Sequence, residues 1–253
     1  MPKETFSDYR RELEFQRQAW ERKPSLRALY RRWHARIVSH LSPARPVVEI
    51  GAGCGNFKSF FPQAVATDVY PCGPWIDRVV DARDLPFEEG EVGNLVMIDC
   101  LHHLPRPLKF LRSATQALKT GGRIVLFEPA ATPWARFVFS HFHHEKLTLQ
   151  QDLFAEDNQS EPPNVGFLFN NLAIAELLFG RGRARLADHL PGLRLVATEY
   201  SDFLVYPAIG GFSYRSFVPA PLVPVLHTLE DWITRPLARR LTAMRMLVAL
   251  EKC

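Results

Sequence analysis

Cysteine is scarce in this chain: 4 of 253 residues, at positions 54, 72, 100 and 253. None forms a CxxC pair, and the density is far below that of a secreted disulfide scaffold. A reducing, cytoplasmic setting is therefore expected. Long hydrophobic runs are missing too: no stretch reaches the roughly 18 uncharged apolar residues of a membrane span. The opening MPKETFSDYRRELEFQRQAW holds no apolar segment of the kind a signal sequence needs. Charge of one sign is also in short supply. Lysine and arginine number 31 against 27 acids, a net charge of +4, far from the basic stripe of a dedicated nucleic-acid binder. No nucleic acid is expected as a partner. The mild excess could help hold an anionic acceptor or lie against an anionic membrane surface. Internal repeats and low-complexity tracts are absent.

What remains is ordinary globular composition, 47% hydrophobic and 23% charged, enough to bury one sizeable core. Residues 5 to about 41 are helical in pattern, interrupted by Pro24, with Ser25 as a start signal for SLRALYRRWHARIVSHL. Residues 1–45 thus read as an N-terminal helical cap, and 46–253 as one larger domain. From Pro46 onward short apolar runs alternate with helical stretches, the pattern of a parallel sheet with crossover helices. The strands are VVEI (47–50), AVATDV (64–69), DRVVDA (77–82), NLVMIDC (94–100) and RIVLFE (123–128). PLKFLRSATQALKTGG has helical spacing, with Gly121 and Gly122 as its stop. TPWARFVFSHFHHE and FNNLAIAELLFGRGRARLADHL also read as helices, separated by the polar loop EDNQSEPPN. LRLVATEYSDFLVYP and RMLVALEK close the chain as strands, with a helix beginning near Val225 between them.

The stretch VVEIGAGCGNFK places three glycines at alternate positions between a strand and a helix. Such a turn lets the main chain approach a ligand closely. Its spacing is GxGxG, whereas the dinucleotide fingerprint is GxGxxG, so a nicotinamide oxidoreductase shares the sheet but has the wrong turn. Glu49 sets a carboxylate beside the loop, which favours a ligand bearing an ammonium or a sulfonium. Asp68 follows Gly51 by 17 residues, close to the offset of about 20 at which an acid accepts from ribose hydroxyls. Asp81 and Ala82 end the third strand, where a carboxylate can meet an adenine amino group; Asp84 competes for that place or caps a turn.

Taken together, VVEIGAGCG, ATD, VVDARDLPF and NLVMIDCLHHL…LKTGGRIVLFEP resemble the class I S-adenosylmethionine-dependent methyltransferases, in particular the bacterial small-molecule, type 11-like branch. The resemblance is specific over about 47–130 and looser over 193–253. It implies a Rossmann-like, doubly wound, seven-stranded α/β sheet, mostly parallel with one antiparallel strand near the C-terminus. It also implies that Glu49, Gly51, Gly53 and Gly55 contact the methionine part of the cofactor, Asp68 the ribose, and Asp81 with Ala82 the adenine. Asp99 and His102 would lie where the cofactor meets the acceptor entrance. A non-catalytic scaffold on the same fold is the alternative from another class. Its expected mark, an eroded glycine loop or ribose acid, is missing.

The acceptor side is less defined. Methyl transfer from a sulfonium needs orientation above all, and a general base only where the acceptor must lose a proton. His102 and His103 are candidates for that base, or fix the turn that carries them. The cluster HFHHE offers His141, His144 and Glu145 among others, for acceptor lining, packing or a divalent cation. Helical spacing would bring His141 and Glu145 together, yet a zinc site wants further ligands than can be placed, and no metal is expected. Acceptor-side insertions are expected at about 130–190 and 207–240. The aromatic, proline-rich segment 202–226 suggests a small-molecule or lipid-like acceptor; a core extension, a dimer contact or peripheral membrane contact are the other uses of such a surface.

Overall fold

The computed structural model describes residues 3–143, 145–155, 169–234 and 236–253. Two helices open it, α1 (Lys3–Arg22) and α2 (Pro24–Ser39). On α2 the apolar stripe Leu26, Leu29, Tyr30, Trp33 and Ile37 is buried throughout, as an amphipathic helix docked on a core requires. Ser25 does not start this helix. Pro24 is its first residue, where a missing N–H is no loss, and the Ser25 hydroxyl instead bonds Ser216 Oγ at 2.9 Å.

Seven strands form one sheet: β1 (Val47–Ile50), β2 (Val65–Asp68), β3 (Arg78–Val79), β4 (Val92–Ile98), β5 (Leu118–Pro129), β6 (Leu193–Ser201) and β7 (Arg245–Lys252). Their order is β3-β2-β1-β4-β5-β7-β6. The first five are parallel, and β7 enters between β5 and β6 antiparallel to both. This is the expected doubly wound sheet. Its helices are completed by α3 (Asn56–Phe60), α4 (Pro107–Ala117), α5 (Pro133–Phe142), α6 (Leu186–His189), α7 (Val205–Ile209), α8 (Val223–Ile233) and α9 (Pro236–Thr242).

Both sheet faces are covered, which explains why the central strands read as unbroken apolar runs. Side chains alternate between two cores at a period of two. Val48, Ile50, Leu95 and Met97 pack with Phe110 and Leu111 of α4. Val47, Val96, Val125 and Phe127 pack with Trp33 of α2 on the other side.

Two further sequence expectations change. Gly121 and Gly122 do not stop α4, which ends at Ala117; they lie within β5, where Val92 pairs with Leu118 and Asn94 with Arg123. The residues between form a bulge, a strand use of glycine that local pattern cannot separate from a helix stop. The helix expected over 169–190 is broken into a π-type turn Glu176–Arg181, a 3-10 turn Arg183–Arg185 and α6. A Cβ at Gly182 would meet the Phe154 ring at 2.5 Å, so close packing, and not helix continuity, sets that corner. The loop EDNQSEPPN lies outside the described residues, as does His144.

Candidate active site

The strand order reverses between β1 and β4, whose chains leave toward opposite edges of the sheet. Ligands of open α/β sheets bind at the carboxyl ends beside such a switch. Gly51, Gly53 and Gly55 occupy that position, all with positive φ. Two of them admit no side chain. A Cβ on Gly51 would stand 2.4 Å from Cys100 Sγ, and one on Gly55 would meet the Trp75 ring at 2.5 Å. Backbone handedness thus explains the alternate spacing. Gly53 N–H donates to Asp68 Oδ2 at 2.8 Å, tying the turn to the end of β2.

Three acids stand around this turn. Glu49 is buried, and its Oε2 has no hydrogen-bond partner among the described residues. Burial, with the Asp68 carboxylate adding to it, pushes its pKa to about 8. Asp68 is raised as well, by burial, against the N–H donors of Gly53 and Tyr70. Tyr9 of α1 covers it, its hydroxyl 3.1 Å from Asp68 Oδ2. Asp81 is gripped by Arg83, Nη2 to Oδ2 at 2.6 Å; burial alone would raise this carboxyl, but the guanidinium outweighs it and holds it low. Asp81 and Ala82 line the cleft, and Asp84 does not.

Asp99 follows β4 with φ of +51° and meets Arg245 Nη2 at 2.6 Å. Arg245, the first residue of β7, is buried over the Trp33 and Phe127 rings, with Nε unpartnered among the described residues. Beyond Asp99 a short turn presents two histidines. His102 Nδ1–H donates to Glu128 Oε2 at 2.6 Å, and the other Glu128 oxygen accepts the N–H groups of Cys100 and Leu101. His103 Nδ1–H donates to the Phe169 carbonyl at 3.1 Å. Both rings thereby turn Nε2 toward Glu145, at 3.7 and 3.5 Å.

Burial by itself would lower His102, but the carboxylates of Glu128, Glu145 and Asp99 outweigh it and raise the pKa. Burial would raise Glu128, but His102 and the two backbone donors hold it low. The directions agree, so the pair is ionic. His103 is lowered by burial and by its neighbour His102. Donor atoms of His102, His103 and Glu145 lie within 4.8 Å of one another, as do those of Asp99, His102 and Glu128. A divalent cation needs neutral imidazoles, whereas the carboxylates favour protonated His102. The group behaves as a proton-holding network.

Glu145 reaches this network by an unexpected route. α5 ends at Phe142 and His143 is extended, so His141 and Glu145 do not share a helical face. His141 Nδ1–H bonds back to the Phe137 carbonyl at 2.7 Å. Glu128 and Arg245 escaped sequence reasoning. The available signal was a charge closing an apolar run, IVLF before Glu128 and MLVAL after Arg245, at the edge where the glycine turn lies.

One cavity of about 1130 Å³ joins all of this. Glu49, Gly51, Gly53, Asp68, Asp81 and Ala82 line it, as do Asp99, His102, His103 and Glu145. Gly55 is not in the wall and serves as the left-handed start of α3. The wall also carries the aromatic side chains Trp134, Phe139, Tyr206 and Phe212. Pockets for one small ligand span about 300–1,000 Å³, and this cavity lies just above that range.

A family described as a methyltransferase domain matches residues 20–182. No curated protein matches the chain. Among solved structures, a methyltransferase from Archaeoglobus fulgidus superposes with a TM-score of 0.53 at 15% identity, over 89% of this chain and 94% of that one. Geranyl diphosphate C-methyltransferase from Streptomyces coelicolor, solved with Mg2+, geranyl diphosphate and S-adenosylhomocysteine, gives 0.52 at 16% identity, over 87% and 78%. A geranyl diphosphate methyltransferase in complex with S-adenosylmethionine gives 0.50 at 16% identity, over 88% and 85%. At such identities these likenesses speak for the fold. With the family match covering well over half of the chain, this protein belongs to the methyltransferase domain family, as a class I S-adenosylmethionine-dependent enzyme.

Proposed function

We propose that the chain methylates an oxygen or nitrogen of an apolar small-molecule or lipid-like acceptor held against the aromatic side chains of the cavity. The observation that carries this reading is continuity: one cavity takes in the glycine turn, His102 and the aromatic side chains. The residues around the glycine turn fit S-adenosylmethionine in their donor set. Glu49 offers a buried, unpartnered carboxylate oxygen to an ammonium. Asp68 offers a carboxylate to ribose hydroxyls, now answered by Tyr9. Asp81 and Ala82, which line the same cavity, are assigned to the adenine, and Asp99 to the meeting of cofactor and acceptor.

Bound there, the cofactor supplies a methyl group already activated by a sulfonium. The chain contributes orientation, worth about 7–11 kcal/mol of barrier in favourable cases, and a place for the acceptor's proton. His102 in its neutral form is best placed to take that proton at Nε2, because Glu128 fixes its tautomer and stabilises the imidazolium that results. Glu145 lies on the same nitrogen and steadies it. His103, lowered by burial, stays neutral and borders the acceptor. The assignment of residues 1–45 as a cap is supported by Tyr9 and Leu13 in the cavity wall, and that of acceptor-side insertions at about 130–190 and 207–240 by Trp134, Phe139 and Phe212.

The test is transfer of tritiated methyl from S-adenosylmethionine to a panel of apolar phenols, amines and polyprenyl lipids, read in the organic extract. Label should reach the extract with wild type, and fall about 10²–10⁴-fold with His102→Ala while S-adenosylhomocysteine still binds. Undiminished transfer by His102→Ala removes the base from the account. Label confined to hydrophilic acceptors removes the lipid-like class.

A further inference from the structure

Helix α8 wears its apolar stripe on the outside. Leu222 at its N-cap, then Val225, Leu229, Trp232 and Ile233, recur at helical spacing, and all are exposed, Trp232 at 81%. The residues turned inward are Val223, His227 and Glu230. A helix docked on a core by its own apolar face shows the opposite arrangement. The rotation is not slack. Glu230 accepts the N–H groups of Phe203, Leu204 and Val205 at 2.8, 2.6 and 2.9 Å, and so caps the entry to α7 while fixing which side of α8 faces in.

The apolar surface continues beyond α8. Leu237 and Leu241 stand one turn apart on α9, at 80% and 58% exposure. Phe217, 85% exposed, precedes α8, and Phe137, Phe142 and Tyr214 are exposed as well, the last two in edge-to-face contact. Phe137, Phe142, Tyr214 and Phe217 also line the cavity, and Tyr214 Oη–H donates to the Phe142 carbonyl across its rim. The cavity therefore opens at these exposed side chains, and their neighbours α5 and the turn at 220–222 pack on α9 and α8 respectively. Contiguous exposed apolar surface of this kind marks an interaction site.

Charge chooses the occupant. Within 203–244 the acids are Glu230, which is buried, and Asp231, which is paired with Arg32 and Arg239. Arg215 and Arg240 are exposed within the same stretch, and Arg136 is exposed on α5 next to Phe137. Two copies packed across a two-fold axis would bring like arginines together and seal both cavity mouths. An anionic lipid surface meets the arginines with opposite charge and takes the tryptophan and phenylalanines at the depth where aromatic side chains settle. No described helix is long and apolar enough to cross a membrane, so the contact is interfacial.

We propose that α8, α9 and the segment 212–222 form a face that seats on an anionic bilayer, with the cavity mouth at the lipid surface. The experiment is flotation with vesicles of phosphatidylcholine alone and of phosphatidylcholine mixed equally with phosphatidylglycerol, on wild type and on a Trp232→Ser, Leu237→Ser double variant. Both side chains are exposed, so thermal melting and S-adenosylhomocysteine binding should be unchanged in the variant. Wild type should float with the mixed vesicles and far less with phosphatidylcholine alone. The variant should lose about tenfold or more of its partition, the effect of two large apolar side chains withdrawn from the interface. Three outcomes overturn the proposal: wild type that floats with neither vesicle, flotation indifferent to the double variant, or a solution dimer that the double variant dissociates. Flotation needs no acceptor, so this surface and the acceptor assignment can fail separately.

Discussion

His102 Nδ1 stands 2.6 Å from Glu128 Oε2 with both side chains buried, 26 residues apart in the chain. β4 delivers the histidine and β5 the carboxylate, and the parallel register of these neighbours brings their ends level. A base at Nε2 has to start neutral, yet this pairing favours the imidazolium.

The rate should therefore rise with pH, through a midpoint above the ordinary histidine value of 6.5. Glu128→Gln removes the largest opposing influence to burial, so the midpoint should move to lower pH while the maximal rate falls. Initial rates of methyl transfer across pH would show this. A midpoint unmoved by the substitution contradicts the pairing's role.

Stability should follow the same pair. His102 is raised, so its contribution is complete below 6.5 and is lost as pH rises through its folded pKa. Glu128 is lowered, so its contribution is present above 4.5 and is lost as pH falls through its folded pKa. The window common to both lies between 4.5 and 6.5. Within it Glu128→Gln should destabilise by about 3–5 kcal/mol, the usual effect of breaking a buried pair, and the difference should shrink at alkaline pH. Denaturant titrations at several pH values test this.

Glu49 predicts a pH dependence in cofactor binding. Its pKa near 8 leaves it neutral at lower pH, whereas an ammonium partner wants the carboxylate. S-adenosylhomocysteine should bind more tightly as pH rises toward 8, by up to about tenfold per unit, with proton release visible to calorimetry. Without ligand, the raised pKa means stability is lost as pH rises through about 8. Glu49→Gln should flatten both profiles.

Tyr9 occupies the acid that ribose hydroxyls would use. Its hydroxyl lies 3.2 and 3.1 Å from the two Asp68 oxygens, so a ligand must displace or share it. Hydrogen bonds to charged groups contribute about 1.5–3 kcal/mol. Tyr9→Phe should lower the ligand-free melting temperature and tighten S-adenosylhomocysteine binding by about tenfold. Weaker binding in Tyr9→Phe would mean that Tyr9 holds the cofactor directly.

Gly51→Ala should abolish cofactor binding for two separable reasons. Its φ of +75° and the 2.4 Å approach to Cys100 Sγ both oppose a methyl group. Adding Cys100→Gly relieves the clash but leaves the left-handed penalty of about 1–2 kcal/mol. Partial recovery is expected; full recovery would mean that backbone handedness is unimportant there.

Much of this architecture was legible in the residues. VVEI, ATD and NLVMIDC gave strand positions because buried parallel strands leave unbroken apolar runs. The glycine turn was legible because left-handed backbone selects one residue type. Gly121 and Gly122 misled because a bulge and a helix stop look alike locally. The i,i+4 pairing of His141 with Glu145 fails because α5 ends at Phe142. Tyr9 on Asp68 spans 59 residues, and Arg245 on Asp99 joins the last strand to the fourth. Contacts of that range arise from topology and leave no periodic trace.

The central claim is that the glycine turn and Asp68 hold S-adenosylmethionine. Calorimetric titration of S-adenosylhomocysteine into wild type and Asp68→Ala, with NAD as a control ligand, tests it most directly. The account predicts saturable binding of the adenosyl ligand to wild type, loss of at least about tenfold in affinity on removing the buried acceptor, and no binding of NAD. Equal affinity in wild type and variant, or binding of NAD in place of the adenosyl ligand, would contradict it.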